Sequence, residues 1–486
     1  MRSTVETAAE SRSIPSRLAI SLPQLWAFMA VVLPMVALHG ALGTIDLAYH
    51  IRTGNIMLRT HALVHRDMYT FTVTGAPWLD QQWGAQLLLG LLYRAVGWPG
   101  LSVAQVLLGG LTMLFVYLAC RSAGAPPRAA AGLTLGGFAV AWTSLTLRPQ
   151  LLAAVLFAIS LWLVVGRRRH PRRLLWMPVV VAFWANVHGS FFMGPVLLAL
   201  AAIEDLYGHA PGARRTVGMA GISVLATLLN PFGVRVWSYA YGIARNPFIS
   251  KLVSEWQPPT IRHPDDAIFF VSVAAAVYVL ARRGRPAPWP TLIWLGLFFA
   301  MALTATRNTM WWGLAAAPAL AGLFRDRDSA PAKELPPSLV NTAIAACLVL
   351  IVGIFFMFSL EGGSFRRPGT RVADAPVALT TQLGRLLQPG DRIFNLQRWG
   401  SWFELSLPDN PVFVDSRIEL FPGRVWNDYL SVSNGRQGWA AILDRWNVQA
   451  VAVNTDQQGS LVRLMRRDPK WRLAYQDDDG VIFVKA

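Results

Sequence analysis

Two side chains able to handle protons, Asp46 and His50, stand in "GTIDLAYHIRTG", immediately after an apolar run from Ala19 to Leu42 long enough to cross a bilayer. A carboxylate at such an exit meets water, lipid headgroups and anything carried on a lipid, and it can accept a proton from a hydroxyl. A charge at this boundary also costs little, so a hydrated residue capping an outer loop is the bland alternative. The stretch that follows, "VHRDMYTFTVTGAPWLDQQW", adds Asp67, Asp80, Gln81 and Gln82, with Tyr69, Phe71, Trp78 and Trp83 between them. Rings stack on the apolar faces of sugars while acids and amides hold hydroxyls, which gives this loop the composition of a sugar-recognition surface. An aromatic belt at the membrane interface is the competing reading.

Arg148 in "SLTLRPQL" and Arg307 in "ALTATRNTMWW" are isolated arginines at helix ends, away from the dense basic clusters. Each wants an anionic partner, and both an internal carboxylate and a phosphate fit, since the planar guanidinium binds two oxygens at once. Glu255 in "SEWQPP" is a further acid in a second long loop. Asn186 and His188, in "FWANVHGSFFMGP", interrupt two apolar spans too short to cross fully at about 1.5 Å per residue. Helix ends of that kind line a water-filled cavity, although a lone histidine is also an ordinary hydrogen-bonding residue.

The elements that must position these groups are membrane helices. Of 486 residues, 54% are hydrophobic and 15% charged, with 20 Trp and a mean hydropathy of +0.39. These values describe an integral membrane protein. The net charge of +17 sits in short clusters between apolar segments, which excludes a nucleic-acid-binding face. The two cysteines lie inside apolar runs and form neither a disulfide framework nor a zinc spacing. No P-loop, strand-linked GxGxxG, nucleophile elbow or HExxH occurs, so soluble nucleotide-cofactor and zinc-protease chemistry have no footing.

Ten apolar segments near 101–120, 129–146, 150–166, 174–187, 190–204, 216–230, 267–281, 289–305, 309–324 and 338–359 join the first to make about eleven transmembrane helices. If "WGAQLLLGLLYRAVG" at 83–97 lies at the outer interface, "GRRRHPRR", "ARRGRP" and "FRDRDSAPAKELPPS" all fall in the cytoplasm. The positive-inside bias favours that parity. It gives a cytoplasmic tail at 1–18, a transmembrane domain at 19–360 with long outer loops at 43–100 and 230–266, and an extracytoplasmic segment at 361–486. In the last, "DRIFNL", "PVFVDS", "VQAVAVN", "WRLAYQ" and "GVIFVK" read as strands. Residues 376–387, 438–446 and 460–468 read as helices, so the fold class is an all-α polytopic membrane domain followed by a small α/β domain. Asp415 and Arg417 are the most suggestive residues of that domain, and an internal salt bridge explains them equally well.

The arrangement "DLAYH…HRDMYTFT…PWLDQQW", an interfacial helix and an outer "LRPQ" turn resemble GT-C-type glycosyltransferases, the class that includes protein O-mannosyltransferases and the aminoarabinose transferase acting on lipid A. The stretches "WANVHGSFFMGP", "NPFG" and "PVFVDSRIELF" look like a bacterial branch of that superfamily. The resemblance implies a sugar donor linked to polyprenyl phosphate or diphosphate, an extracytoplasmic acceptor, inversion, and residence in the bacterial cytoplasmic membrane. It implies Asp46 as general base and Arg148 or Arg307 on the phosphate, while the residues themselves make His50, Asp67, Asp80, Gln82, His188 and Glu255 the candidates around the substrate. Many relatives carry two adjacent acids where this chain has Asp46 between Ile45 and Leu47. Asp67 and Asp80 therefore stay open as alternative bases, and a divalent metal stays open as a cofactor with no ligand set to require it. The other function classes are a non-catalytic scaffold that binds glycolipids, and a transporter. A transporter would carry charged residues deep in several spans and repeated halves, which this sequence lacks.

Overall fold

The computed structural model describes residues 19–40, 42–282, 286–324, 336–361 and 372–486. The expected tail at 1–18, the centres of the basic loops at 281–286 and 324–338, and the linker before residue 372 lie outside them.

Each of the eleven apolar segments is helical: Leu22–Ala37, the later part of Trp83–Ala123, Pro127–Ala141, Pro149–Val165, Met177–Ala185, Met193–Tyr207, Ala213–Ala226, Pro264–Ala281, Trp289–Ala302, Thr309–Ala321 and Leu339–Glu361. Among the described residues, four stretches combine the length and apolarity needed to cross a membrane: Trp83–Ala123, Gly189–Tyr207, Pro264–Ala281 and Leu339–Met357. Several of the remaining helices are shorter than the hydropathy runs suggested: Pro127–Ala141 gives way to a short turn at Trp142–Ser144, and Met177–Ala185 is preceded by one at Pro171–Trp176. Leu339–Met357 leaves its apolar side chains exposed, as a lipid-facing helix does.

Residues 83–97 form a separate segment, as the sequence suggested, but it runs directly into the next helix. The break is at Gly97, whose φ of 60° and ψ of −159° lie where side chains with a Cβ are rarely found. The segment before the break packs on the helix Leu47–Thr60 through a close approach at Gly54. A Cβ there would lie 2.0 Å from the backbone oxygen of Gln86.

The terminal region forms a four-stranded sheet of β1 (Ile393–Asn395), β2 (Ala450–Val453), β3 (Trp471–Gln476) and β4 (Val481–Lys485), in the order β1-β2-β4-β3. β1 and β2 are parallel and the other pairs antiparallel. Four of the five expected strands and all three expected helices are present. "PVFVDS" is the exception: it makes only isolated bridges, Val412 with Ile393 and Val412 with Thr70. The helices Gly400–Ser406 and Gly423–Ser433, absent from the sequence reading, complete the domain.

The first loop docks onto this domain as extended chain. Phe71 N–H donates to the Val412 carbonyl and Val412 N–H to that of Tyr69, each at 3.2 Å. The Thr72 hydroxyl donates to the Phe413 carbonyl at 2.6 Å, and Arg52 donates to the carbonyls of Glu404 and Pro408 at 2.5 and 2.9 Å. The terminal domain thus sits over the ends of the helices that carry the candidate residues.

Candidate active site

A cavity of about 620 Å³ opens where the first loop, the turns at Arg148 and His188, the second long loop and the terminal domain meet. Its wall includes Asp46, His50, Asp80, Gln82, Arg148, His188, Glu255 and Arg307, eight of the nine residues singled out in the sequence.

Asp46 is the residue immediately before the helix Leu47–Thr60, so its carboxylate faces the cavity from a helix N-terminus rather than from a free loop. Burial raises its pKa above the usual carboxylate value. A hydrogen bond from Ser416 and the charge of Arg148 pull it back, Glu255 adds to the rise, and Arg307 opposes it. Ser416 in turn accepts a hydrogen bond from Ser401 at 2.9 Å, which holds its hydroxyl in place.

Arg148 and Arg307 do find an internal carboxylate. Arg148 grips both oxygens of Glu255, Nη1 to Oε1 at 3.2 Å and Nη2 to Oε2 at 2.7 Å. Arg307 reaches Oε1 at 3.3 Å, donates to Gln150 Oε1 at 2.9 Å and lies over the Trp256 ring at 4.7 Å. The two arginines hold the Glu255 carboxyl down at about 2 against the effect of burial, so it is ionised at all ordinary pH. Two cations share one anion, which leaves the Arg148, Arg307 and Glu255 group with one positive charge. Arg148 Nε and Gln150 Nε2, both buried, have no hydrogen-bond partner among the described residues.

His188 begins a short turn by accepting from Ser190 N–H at 3.1 Å through Nδ1. Burial, reinforced by Arg307 and Arg148, lowers its pKa to about 3 and keeps it neutral. His50 is buried against the Tyr49 ring, and burial lowers its pKa well below the ordinary value. Asn186 accepts from the Trp83 indole at 2.9 Å and donates to the carbonyls of Ala182 and Leu229, tying its turn to the first loop and to the start of the second. Short helices ending in polar residues do line a cavity here.

Asp80 is 2% exposed. Its Oδ1 accepts from Gln86 Nε2 at 2.8 Å, and Oδ2 has no partner among the described residues. Burial raises its pKa to about 8, against the charge of Arg417 and the hydrogen bond from Gln86. At neutral pH Asp80 is therefore a neutral acid that can donate. Asp67 alone of the nine lies outside the cavity wall. It accepts from the Thr70 hydroxyl at 2.7 Å and from Arg417 at 2.6 Å, fully buried.

Sequence reasoning did not anticipate Gln150, Tyr239, Ser416 or Glu419, which also line the cavity, nor that Arg417 would. Glu419 accepts from the Tyr239 hydroxyl at 2.8 Å. The one local signal was the cluster of charges inside the otherwise apolar "PVFVDSRIEL". Among the described residues no group of three or more His, Cys, Asp and Glu side chains is placed to hold a metal ion.

This architecture, helical membrane segments with a cavity beside a terminal domain, is a fold shared with solved proteins that have little of its sequence. The arabinofuranosyltransferase AftD from Mycobacteria superposes with a TM-score of 0.57 at 16% identity over 96% of this chain, which spans 40% of that protein. The oligosaccharyltransferase of Archaeoglobus fulgidus, solved with a tethered acceptor peptide, gives 0.55 at 13% identity over 95% of this chain and 74% of its own. ArnT from Cupriavidus metallidurans, bound to undecaprenyl phosphate, gives 0.51 at 13% identity over 95% and 96% of the two chains. No family model matches the sequence and no curated protein is similar to it in sequence.

Proposed function

We propose that this protein is a membrane glycosyltransferase that moves a sugar from a polyprenyl-phosphate-type carrier to an extracytoplasmic acceptor, inverting the anomeric carbon, with Asp46 as general base. The observation that carries the reading is the convergence of Asp46, Arg148 and Arg307 on one cavity. The acceptor hydroxyl attacks the anomeric carbon from the side opposite the phosphate. As that bond forms, the bond from carbon to phosphate oxygen breaks, the electron pair stays on the phosphate, and Asp46 takes the acceptor proton.

The leaving phosphate gains negative charge, and the net positive charge of the Arg148, Arg307 and Glu255 group stabilises that gain more than it stabilises the ground state. Arg148 Nε and Gln150 Nε2 supply donors not committed elsewhere among the described residues. Buried in a site of low dielectric, such donors act more strongly than they would in water. His188 and His50, neutral in the cavity, serve as hydrogen-bonding walls. The site belongs on the outer face of the bacterial cytoplasmic membrane, with the N-terminus inside, because the basic clusters favour that parity.

The test is transfer of radiolabelled sugar from short-chain polyprenyl-phosphate sugars by the purified protein in nanodiscs. Wild type is expected to transfer, and Asp46→Asn to bind the donor while losing about 100-fold or more in turnover. Turnover unchanged in Asp46→Asn would move the base elsewhere. No transfer and no donor binding by intact protein would remove the enzyme reading.

A further inference from the structure

We propose that Arg417 of the terminal domain, with Trp78, Asp80 and Gln81 of the first loop, forms the subsite that holds the sugar of the lipid-linked donor, and that this subsite takes an uncharged sugar. The inference rests on the glycosyltransferase reading above and assigns residues of the cavity wall which that reading leaves without a role.

Polar atoms that are buried and unpaired are costly, and a cluster of them in one cavity marks a place built for a ligand. Asp80 Oδ2, Gln81 Oε1 and Arg417 Nη1 are three such atoms among the described residues, and all three residues line the cavity. They are 2%, 1% and 2% exposed. Asp80 feels the charge of Arg417, whereas Asp46 feels Arg148 and Arg307.

Arg417 is held with unusual rigidity. Asp415 takes its Nε and Nη2, Asp67 takes Nη2 at 2.6 Å, and the guanidinium lies 4.6 Å from the centres of both the Tyr69 and the Trp78 rings. Gln81 is fixed at its other end by donating to the Ala185 carbonyl at 2.8 Å. Two carboxylates outweigh the single charge of Arg417, so Nη1 offers a directed hydrogen bond without a net positive field. That chemistry recognises a hydroxyl or a ring oxygen rather than a second phosphate or a sugar acid. Asp80 and Gln81 supply the complementary donor and acceptor, and Trp78 the apolar ring face that a sugar carries.

The experiment compares full-length protein in nanodiscs binding farnesyl phosphate with its binding of farnesyl phosphates that bear mannose, galactose or arabinose. Wild type should bind at least one sugar-bearing lipid more tightly than the bare phosphate. Arg417→Lys and Asp80→Ala should each reduce that advantage by about tenfold, the scale of a lost buried hydrogen bond, and leave farnesyl phosphate binding unchanged. Asp80→Asn should keep the advantage, because an amide donates where the neutral acid does. Should Arg417→Lys fail to fold, Asp80→Ala carries the test, with farnesyl phosphate binding as the check of integrity. An advantage intact in the variants, or both probes weakened alike, overturns the subsite, as does a wild type that prefers no sugar-bearing lipid. If farnesyl phosphate itself does not bind wild type, the glycosyltransferase reading falls and this assignment with it.

Discussion

Arg148 and Glu255, 107 residues apart, form a two-pronged ion pair that fastens the turn before the helix Pro149–Val165 to the second long loop. Arg307 shares the same carboxylate, so one anion restrains both arginines. Glu255 therefore competes with any phosphate that the arginines bind. Glu255→Gln removes a negative charge while keeping the shape, and it should raise the affinity for farnesyl phosphate about fivefold at low ionic strength, with the gain shrinking in high salt. Arg307→Met should lower the same affinity. Weaker binding by Glu255→Gln would show instead that the glutamate holds the arginines in their binding geometry.

Ser416 reaches Asp46 from the terminal domain and stabilises its charged form. As the proposed base Asp46 must be ionised to accept a proton, so turnover should be lost as pH falls through its raised pKa. Ser416→Ala should move that acid limb to higher pH with little change in the turnover reached on the plateau. A pH profile of turnover at saturating donor, for wild type and variant, reads the shift directly.

Asp80 gives the opposite sign in stability. Its pKa rises from 3.8 to about 8 on folding, so between those values the folded chain holds a proton that the unfolded chain lacks. Stability contributed by this proton is present at low pH and is lost as pH rises across that window. The charges facing Asp80 are Arg417 and Glu419, and the former limits the effect. Thermal denaturation in detergent should show wild type losing more stability than Asp80→Asn between pH 4 and pH 8. The same proton makes Asp80 a donor, so turnover of wild type, and not of Asp80→Asn, should fall above about pH 8.

Gly54 sits where two helices touch, with no room for a methyl group against the Gln86 carbonyl. Gly54→Ala should cost about 1–3 kcal/mol of stability through overpacking. Because the Gln86 side chain holds Asp80, it should also weaken sugar-dependent binding. Lower melting temperature together with intact farnesyl phosphate binding is the expected result.

What the sequence determined by itself is the part governed by local pattern. Hydropathy marks helices at 127–141, 149–165 and 264–281 to within about five residues, and short continuous apolar runs mark β2 and β4. The break near Gly97 and the polar turns at Arg148 and His188 are equally local, since glycine and exposed polar groups act on the chain where they stand. Span length was less legible, because an apolar run continues through turns that end a helix. The segment "PVFVDS" reads as a strand and is instead extended chain that finds partners in β1 and the first loop. Tertiary structure alone decided the pairings. Arg148 meets Glu255, Arg417 meets Asp67, which stands 350 residues earlier, and the terminal domain brings Ser416 to Asp46. A charged residue announces in sequence that it needs a partner. Which partner it takes depends on where distant helices place their ends, and no local pattern encodes that.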